Sequence, residues 1–236
     1  MGRAFEFRKA RKMKRWGKMA VTFTRIGKEI AMSVKQGGPD PANNPRLRVA
    51  MQNAKAESMP KDRIDAAISR ASAKDQKDYA EVVYEGMGPY GVGIVVETAT
   101  DNPTRTVANM RLAFNRNNGE LGKSGSLDFI FERKCIFKID PTGLNIEDLE
   151  LELIDFGMEE IEQVEDETLI YTAFTDFGNM QKGLESLNIP IISVDKERIP
   201  LSTVELTAEQ AEEVNKLIDR LEEDEDVQGV FHNMKG

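Results

Sequence analysis

Eight cations stand within the first eighteen residues: Arg3, Arg8, Lys9, Arg11, Lys12, Lys14, Arg15 and Lys18, against one carboxylate, Glu6. Positive charge at that density binds phosphate backbones by releasing their counterions. Phe5, Phe7 and Trp16 are interleaved and could stack on unpaired bases. Arg25 and Lys28 carry the charge into the next segment, and Arg46 and Arg48 carry it further. A solvated tail, or one docked on the chain's own acidic part, would have the same composition. The charge does not separate DNA from RNA. A second set, Arg105, Arg111 and Arg116, follows Asn102-Pro103. Arg105 would sit in the first turn of a helix, where a cation opposes the macrodipole.

Few other residues could do chemistry. His232 is the single histidine and Cys135 the single cysteine. A lone histidine could be a base or stack on RNA, but it is more often a structural hydrogen-bonding residue. Cys135 alternates with Phe137 and reads as a buried, inert thiol. No disulfide framework, Cys-rich zinc site or HExxH motif can be built, so no catalytic or metal site is expected. Paired carboxylates such as Asp155 with Glu159 read as solvated surface. Gly86-Met87-Gly88-Pro89-Tyr90-Gly91 fits G-x-G-x-x-G, but the next segment is a strand and Pro89 lacks an N–H, so it reads as a tight β-connection. Gly122-Lys123-Ser124 resembles the end of a phosphate loop, with Asn117 where its leading glycine should be.

The composition agrees with binding rather than catalysis. The 236 residues are 40% hydrophobic, 31% charged and net −9. That sum hides a division. Residues 1–79 hold 19 Lys and Arg against 8 Asp and Glu, net +11, leaving net −20 for residues 80–236. Such asymmetry suggests a polyanion partner for the basic part. No apolar run approaches the ~18 residues of a membrane span, and no apolar core of a signal peptide follows the basic start. The single cysteine suits a reducing, cytoplasmic setting.

The elements that must position these residues can be read from periodicity. Residues 1–20 read as a basic flexible arm. Phe23, Ile26, Ile30 and Val34 make one helical stripe, stopped by Gly37-Gly38-Pro39. Asn44-Pro45 opens a second helix and Pro60 a third, giving a helical domain over 21–78. Glu81–Glu85, Val92–Thr98 and Leu127–Phe131 read as strands, with a helix after Asn102-Pro103 between the last two. Residues 134–204 run strand, helix, strand, strand, helix, strand, the split βαββαβ order of ferredoxin-like domains. Thr207 to Gln210 forms a capping box before an apolar stripe, and Val227–Phe231 closes as a strand. The middle domain, 79–133, lacks a second helix and a last strand, so 205–236 is expected to return and complete it. The 134–204 unit is then an insertion, with hinges near Arg133 and Pro200. The expected fold class is α+β multidomain: an N-terminal helical domain, then two α+β (ferredoxin-like βαββαβ) domains, the third inserted in the second.

Several segments carry a resemblance. They are Gly37-Gly38-Pro39-Asp40-Pro41 with Asn44-Pro45-Arg46-Leu47-Arg48, Met59-Pro60-Lys61-Asp62, and Tyr84-Glu85-Gly86 with Gly88-Pro89 and Gly91. Asp101-Asn102 with Arg105-Thr106-Val107, Leu217-Ile218-Asp219 with Leu221-Glu222, Asp226-Val227-Gln228 and His232-Asn233 complete the set. The chain resembles the YebC/PmpR family, which includes the mitochondrial translational activator of cytochrome oxidase subunit one. The likeness covers nearly the whole chain. Many members open with Gly-His-Ser-Lys-Trp, where this chain has Gly2-Arg3-Ala4-Phe5-Glu6. The resemblance implies three domains and a cytoplasmic, non-enzymatic protein without cofactor. It implies one of two roles: regulation of transcription by binding promoter DNA, or action on the ribosome that eases synthesis of proline-rich stretches.

The sequence therefore leads to a nucleic-acid-binding regulator of gene expression with no membrane or small-molecule partner. Arg3, Arg8, Lys9, Arg11, Lys12, Lys14, Arg15, Lys18, Arg25, Lys28, Arg46 and Arg48 are the expected contacts, with Arg105, Arg111 and His232 as secondary candidates. The transcriptional reading comes first. A ribosomal-RNA-binding translation factor is the alternative.

Overall fold

In the computed structural model, residues 19–73, 78–164 and 167–235 are described. The eight cations between Arg3 and Lys18 lie outside them. Helix α1 (Met19–Gly37) is followed by α2 (Pro45–Ala56) and α3 (Lys61–Ala71). Asn44 fixes the joint between the first two. Its Oδ1 accepts from the Leu47 amide at 3.0 Å, capping α2, while its Nδ2 donates to the carbonyls of Ser33 and Gly38 at 2.7 and 2.8 Å. Ile30, Val34, Leu47, Ala50, Ala54, Ile64 and Ala67 pack into one small core.

Strands β1 (Ala80–Met87) and β2 (Gly93–Thr100) form an antiparallel hairpin. The glycine-rich segment between them is the expected β-connection, with Tyr90 at φ 61° and Gly91 at φ 76°. Helix α4 (Pro103–Arg116) follows, capped by Asn102, whose side chain accepts from the Arg105 amide. After the two-residue β3 (Glu120–Leu121) the chain enters the second sheet. That sheet comprises β4 (Phe131–Ile139), α5 (Ile146–Ile154), β5 (Met158–Val164), β6 (Glu167–Ala173), α6 (Phe177–Ser186) and β7 (Ile191–Pro200), with strand order β5-β6-β4-β7. All neighbours are antiparallel, as a ferredoxin-like βαββαβ unit requires. Helix α7 (Ala208–Glu222) opens with the Thr207–Gln210 capping box. Strand β8 (Val227–His232) then pairs with β2, giving the first sheet the order β3-β1-β2-β8. Helices α4 and α7 cover one face of that sheet through Met110, Phe114, Leu217, Leu221, Ile94 and Val96.

The structure corrects two readings. Leu127–Phe131 is not a strand: residues 124–130 are turns and β4 begins at Phe131. Leu127, Ile130 and Phe131 are buried while Phe129 is exposed, a spacing of three and four rather than two. The turns are held by the buried Glu85 carboxylate, which accepts from the amides of Gly125 at 2.9 Å and Leu127 at 2.7 Å. The amides after Gly122-Lys123-Ser124 are therefore bound to the chain's own carboxylate. The hinges expected near Arg133 and Pro200 are paired backbone instead. Arg133 faces Arg198 and Phe131 faces Pro200 in the β4–β7 ladder. Both arginines reach Glu97 of β2, Arg198 Nε at 2.9 Å and Arg133 Nη2 at 3.5 Å.

Replacing Glu85 by Ala leaves the buried Leu127 amide and the part-buried Gly125 amide without an acceptor. The expected cost is roughly 2–4 kcal/mol, read as a lower urea midpoint at unchanged slope. Wild-type stability in that variant would show that the turns do not depend on Glu85.

Candidate nucleic-acid interface

The described cations expected to meet nucleic acid are held by the chain itself. Lys28 is buried. Its ammonium donates to the Asp226 carboxylate at 2.8 Å and to the carbonyls of Ala99 and Glu225 at 3.0 and 2.8 Å. All three protons are thus directed at acceptors, which is how a buried ammonium offsets its desolvation. Arg25 Nη2 donates to the Glu222 carbonyl at 3.1 Å. Arg46 lies between Glu29, Gln36 of α1 and Glu81 of β1. Arg48 binds Glu185 of α6 and the carbonyls of Pro41 and Ala42. Sequence reasoning placed these four on a phosphate-binding surface. The structure uses them to seat the helical segment on the two sheets.

Asp226 is the centre of this arrangement. Besides Lys28 it accepts from Thr100 Oγ1 at 3.0 Å, Thr106 Oγ1 at 2.8 Å and Arg105 Nη2 at 2.7 Å. Burial alone would raise its carboxyl, but the hydrogen bonds from Arg105, Lys28 and Thr106 outweigh it and hold the group well below the usual carboxylate range. Arg105, whose place in a first turn looked like a conflict, serves Asp226 and Asp101. Arg111 and Arg116 are exposed on α4. His232 is half-buried in β8, paired with Ile94. Cys135 is buried in β4, and that burial pushes its thiol up to about 11. Among the described residues no group of three or more His, Cys, Asp or Glu could hold a metal ion, and no helix is long and apolar enough to cross a membrane.

Two further contacts had no sequence signal. Asn53 of α2 pairs with the edge strand β7 as a third strand would, its Nδ2 donating to the Val194 carbonyl at 2.8 Å and its Oδ1 accepting from the Val194 amide at 2.7 Å. Glu29 joins Arg46 and Lys196. Burial would raise the Glu29 carboxyl, but Lys196 and then Arg46 hold it below its ordinary value. The Lys28 pair did leave a trace: the next turn of sequence after Glu29, Ile-Ala-Met-Ser-Val over 30–34, carries no charge on any side, which a one-sided amphipathic helix does not need.

Family models match the chain in two parts. The N-terminal domain model of TACO1/YebC proteins covers residues 3–74, and the model of their second and third domains covers residues 79–234. The chain belongs to the TACO1/YebC family. A relative from Cytophaga hutchinsonii is 62% identical over 99% of this chain and 98% of its own. One from Parabacteroides distasonis is 60% identical over 100% and 97%. Both carry the name "Probable transcriptional regulatory protein". The crystal structure of a conserved hypothetical protein from Aquifex aeolicus superposes with a TM-score of 0.75 at 34% identity, covering 92% of this chain and 90% of that one. The model of the second and third domains spans both sheets, the second one included.

Asp226 and Glu29 both have folded-state pKa values below their unfolded ones. The stability they contribute is present above the unfolded carboxylate value of about 4 and is lost as pH falls below it. Urea unfolding is expected to give a plateau from neutral pH to about pH 5 and a decline below about pH 4. Asp226→Asn should lower the plateau by roughly 3–5 kcal/mol and shallow the decline. An equal decline in the variant would remove Asp226 as its source.

Proposed function

We propose that this TACO1/YebC protein is a non-enzymatic, cytoplasmic regulator of gene expression that binds DNA through the basic residues 3–18. The observation that carries the reading is the allocation of charge. Lys28, Arg46 and Arg48 are paired with Asp226, Glu81 and Glu185. In the sequence, the eight cations from Arg3 to Lys18 form a dense group of one sign, with Glu6 alone among them. The net −20 of residues 80–236 disfavours contact of the two sheets with phosphates and directs a polyanion to the other end of the chain. The names of the relatives agree with a regulatory role.

One observation favours a second reading, a translation factor bound to ribosomal RNA. A major-groove reader needs a helix standing clear with base-reading side chains. Here α1 is buried on several sides, α2 leans on β7 through Asn53, and the outer face of α3 shows Asp62, Asp65, Ser69 and Arg70. Backbone and shape readout by a basic segment suits folded RNA.

Deleting residues 2–18 should abolish most affinity for duplex DNA and for RNA while the unfolding midpoint stays unchanged. If six to ten phosphates are contacted, affinity of the intact chain should fall roughly 10³–10⁵-fold between 50 and 200 mM salt. A flat salt response, or full affinity without residues 2–18, contradicts the reading. Co-sedimentation with ribosomes in excess duplex DNA separates the two roles. Saturable pelleting selects the translation factor, and loss of the protein to the DNA selects the transcriptional regulator.

A further inference from the structure

Between the C-terminal turns of α1 and the chain entering β1 lies an open cleft of about 510 Å³, within the size range of small-ligand sites. Its lining includes Met32, Lys35, Gln36, Asp78, Tyr79 and Glu81. The chemistry of its wall is divided. Met32 and the Tyr79 ring supply apolar and aromatic surface. Lys35 supplies one cation. Arg46 supplies a second at the rim, with Nη1 on Gln36 at 2.6 Å and Nη2 on Glu81 at 2.5 Å.

Each cation currently has a carboxylate: Lys35 lies 3.1 Å from Asp78, and Arg46 lies against Glu81. The two partners differ in how firmly they are held. The side chains of Asp78 and Glu81 are 82% and 53% exposed, those of Lys35 and Arg46 only 33% and 24%. The cations are thus seated in the wall, while the acids stand in water and can turn away at small cost. Glu29 stays with Arg46 in either case, so the wall would then present two cations, Lys35 and Arg46, against one carboxylate. Nε and one Nη2 proton of Arg46 stay on Glu29, so a phosphate would take the outer Nη edge that Glu81 now holds, and it carries its own charge into that surplus. Lys28 Nζ sits 5.3 Å from the Tyr79 ring centroid, which ties the ring to the buried Asp226 pair and keeps it in place for stacking.

We propose that this cleft binds one unpaired nucleotide of the nucleic acid, its phosphate bridging Lys35 and Arg46 in place of Asp78 and Glu81, its base against Tyr79 and Met32. The proposal rests on the nucleic-acid reading above and adds to it a single-stranded contact away from residues 3–18. Asp78 and Glu81 act as stand-ins for the phosphate. They leave the cleft with no net positive charge until a strand arrives, and they set a threshold that weakly held polyanions do not pass.

The test uses the full chain and a single-stranded hexanucleotide carrying 5-bromouracil. Photocross-linking followed by peptide mapping should place the base on the peptides that contain Tyr79 or Met32. The double variant Asp78→Asn with Glu81→Gln should bind the hexamer roughly threefold or more tightly, with the salt dependence steeper by about one unit of log K per log salt. Adding Lys35→Gln should cancel the gain. Glu150→Gln with Glu152→Gln, which removes the same charge from the exposed face of α5, should leave affinity within about twofold. Cross-links confined to residues 3–18, or a double variant no different from the α5 control, overturn the cleft and leave the nucleic-acid reading standing. A wild-type chain that binds no hexamer and no duplex overturns both.

Discussion

A lysine and an aspartate that both leave water, Lys28 and Asp226, set the arrangement of this molecule. A buried ion pair is worth keeping only when every remaining lone pair and proton is satisfied. That condition is met from four directions. Lys28 comes from α1, Ala99 and Thr100 from the end of β2, Thr106 and Arg105 from the first turn of α4, and Asp226 from the turn before β8. Removing any one donor leaves a charge or a hydroxyl without its partner in a dry site. The pair therefore fixes where the helical segment sits, how α4 starts and where the last strand enters the sheet.

The same pairing decides which charges remain for a ligand. A basic segment and an acidic segment of one chain attract each other, and the structure resolves that attraction into defined pairs: Lys28 with Asp226, Arg46 with Glu81 and Glu29, Arg48 with Glu185. These join the helical segment to both sheets. The inserted sheet is also tied down by Asn53 on the edge of β7, and to the first sheet by Arg198 on Glu97. Part of the positive charge that composition gives the helices is thus taken up inside the fold, that of Lys28 above all. The cations of residues 3–18 are the ones whose number cannot be matched by neighbouring carboxylates in sequence.

Much of the fold was legible because local chemistry and tertiary packing agree. Asn44, Asn102 and Thr207 announce helix starts and cap them. The βαββαβ order follows from alternation and helical spacing, and the return of Val227–His232 to β2 follows from a sheet left one strand short. What was not legible rests on buried polar groups whose partners are distant in sequence. Leu127–Phe131 looked like a strand because it is mostly apolar, and only the Glu85 carboxylate, some forty residues earlier, folds it into turns. Nothing near Lys28 in sequence shows that its ammonium is buried, because its carboxylate comes from the turn before β8. Charge composition reports how much charge a segment has and is silent on which of it is already matched.

A double-mutant cycle on the buried pair tests this most directly. Stability of Lys28→Met, of Asp226→Asn and of the double variant would be measured by urea unfolding at neutral pH. Asp226→Asn should cost roughly 3–5 kcal/mol because it strands the buried Lys28 ammonium, and Lys28→Met less, because Arg105, Thr100 and Thr106 still hold Asp226. The double variant should cost little more than Asp226→Asn alone, giving a coupling well above the few tenths expected of independent sites. Additive losses, or a negligible loss for Lys28→Met, would mean that Lys28 is not locked by Asp226. The helical cations would then have to be counted as available to nucleic acid.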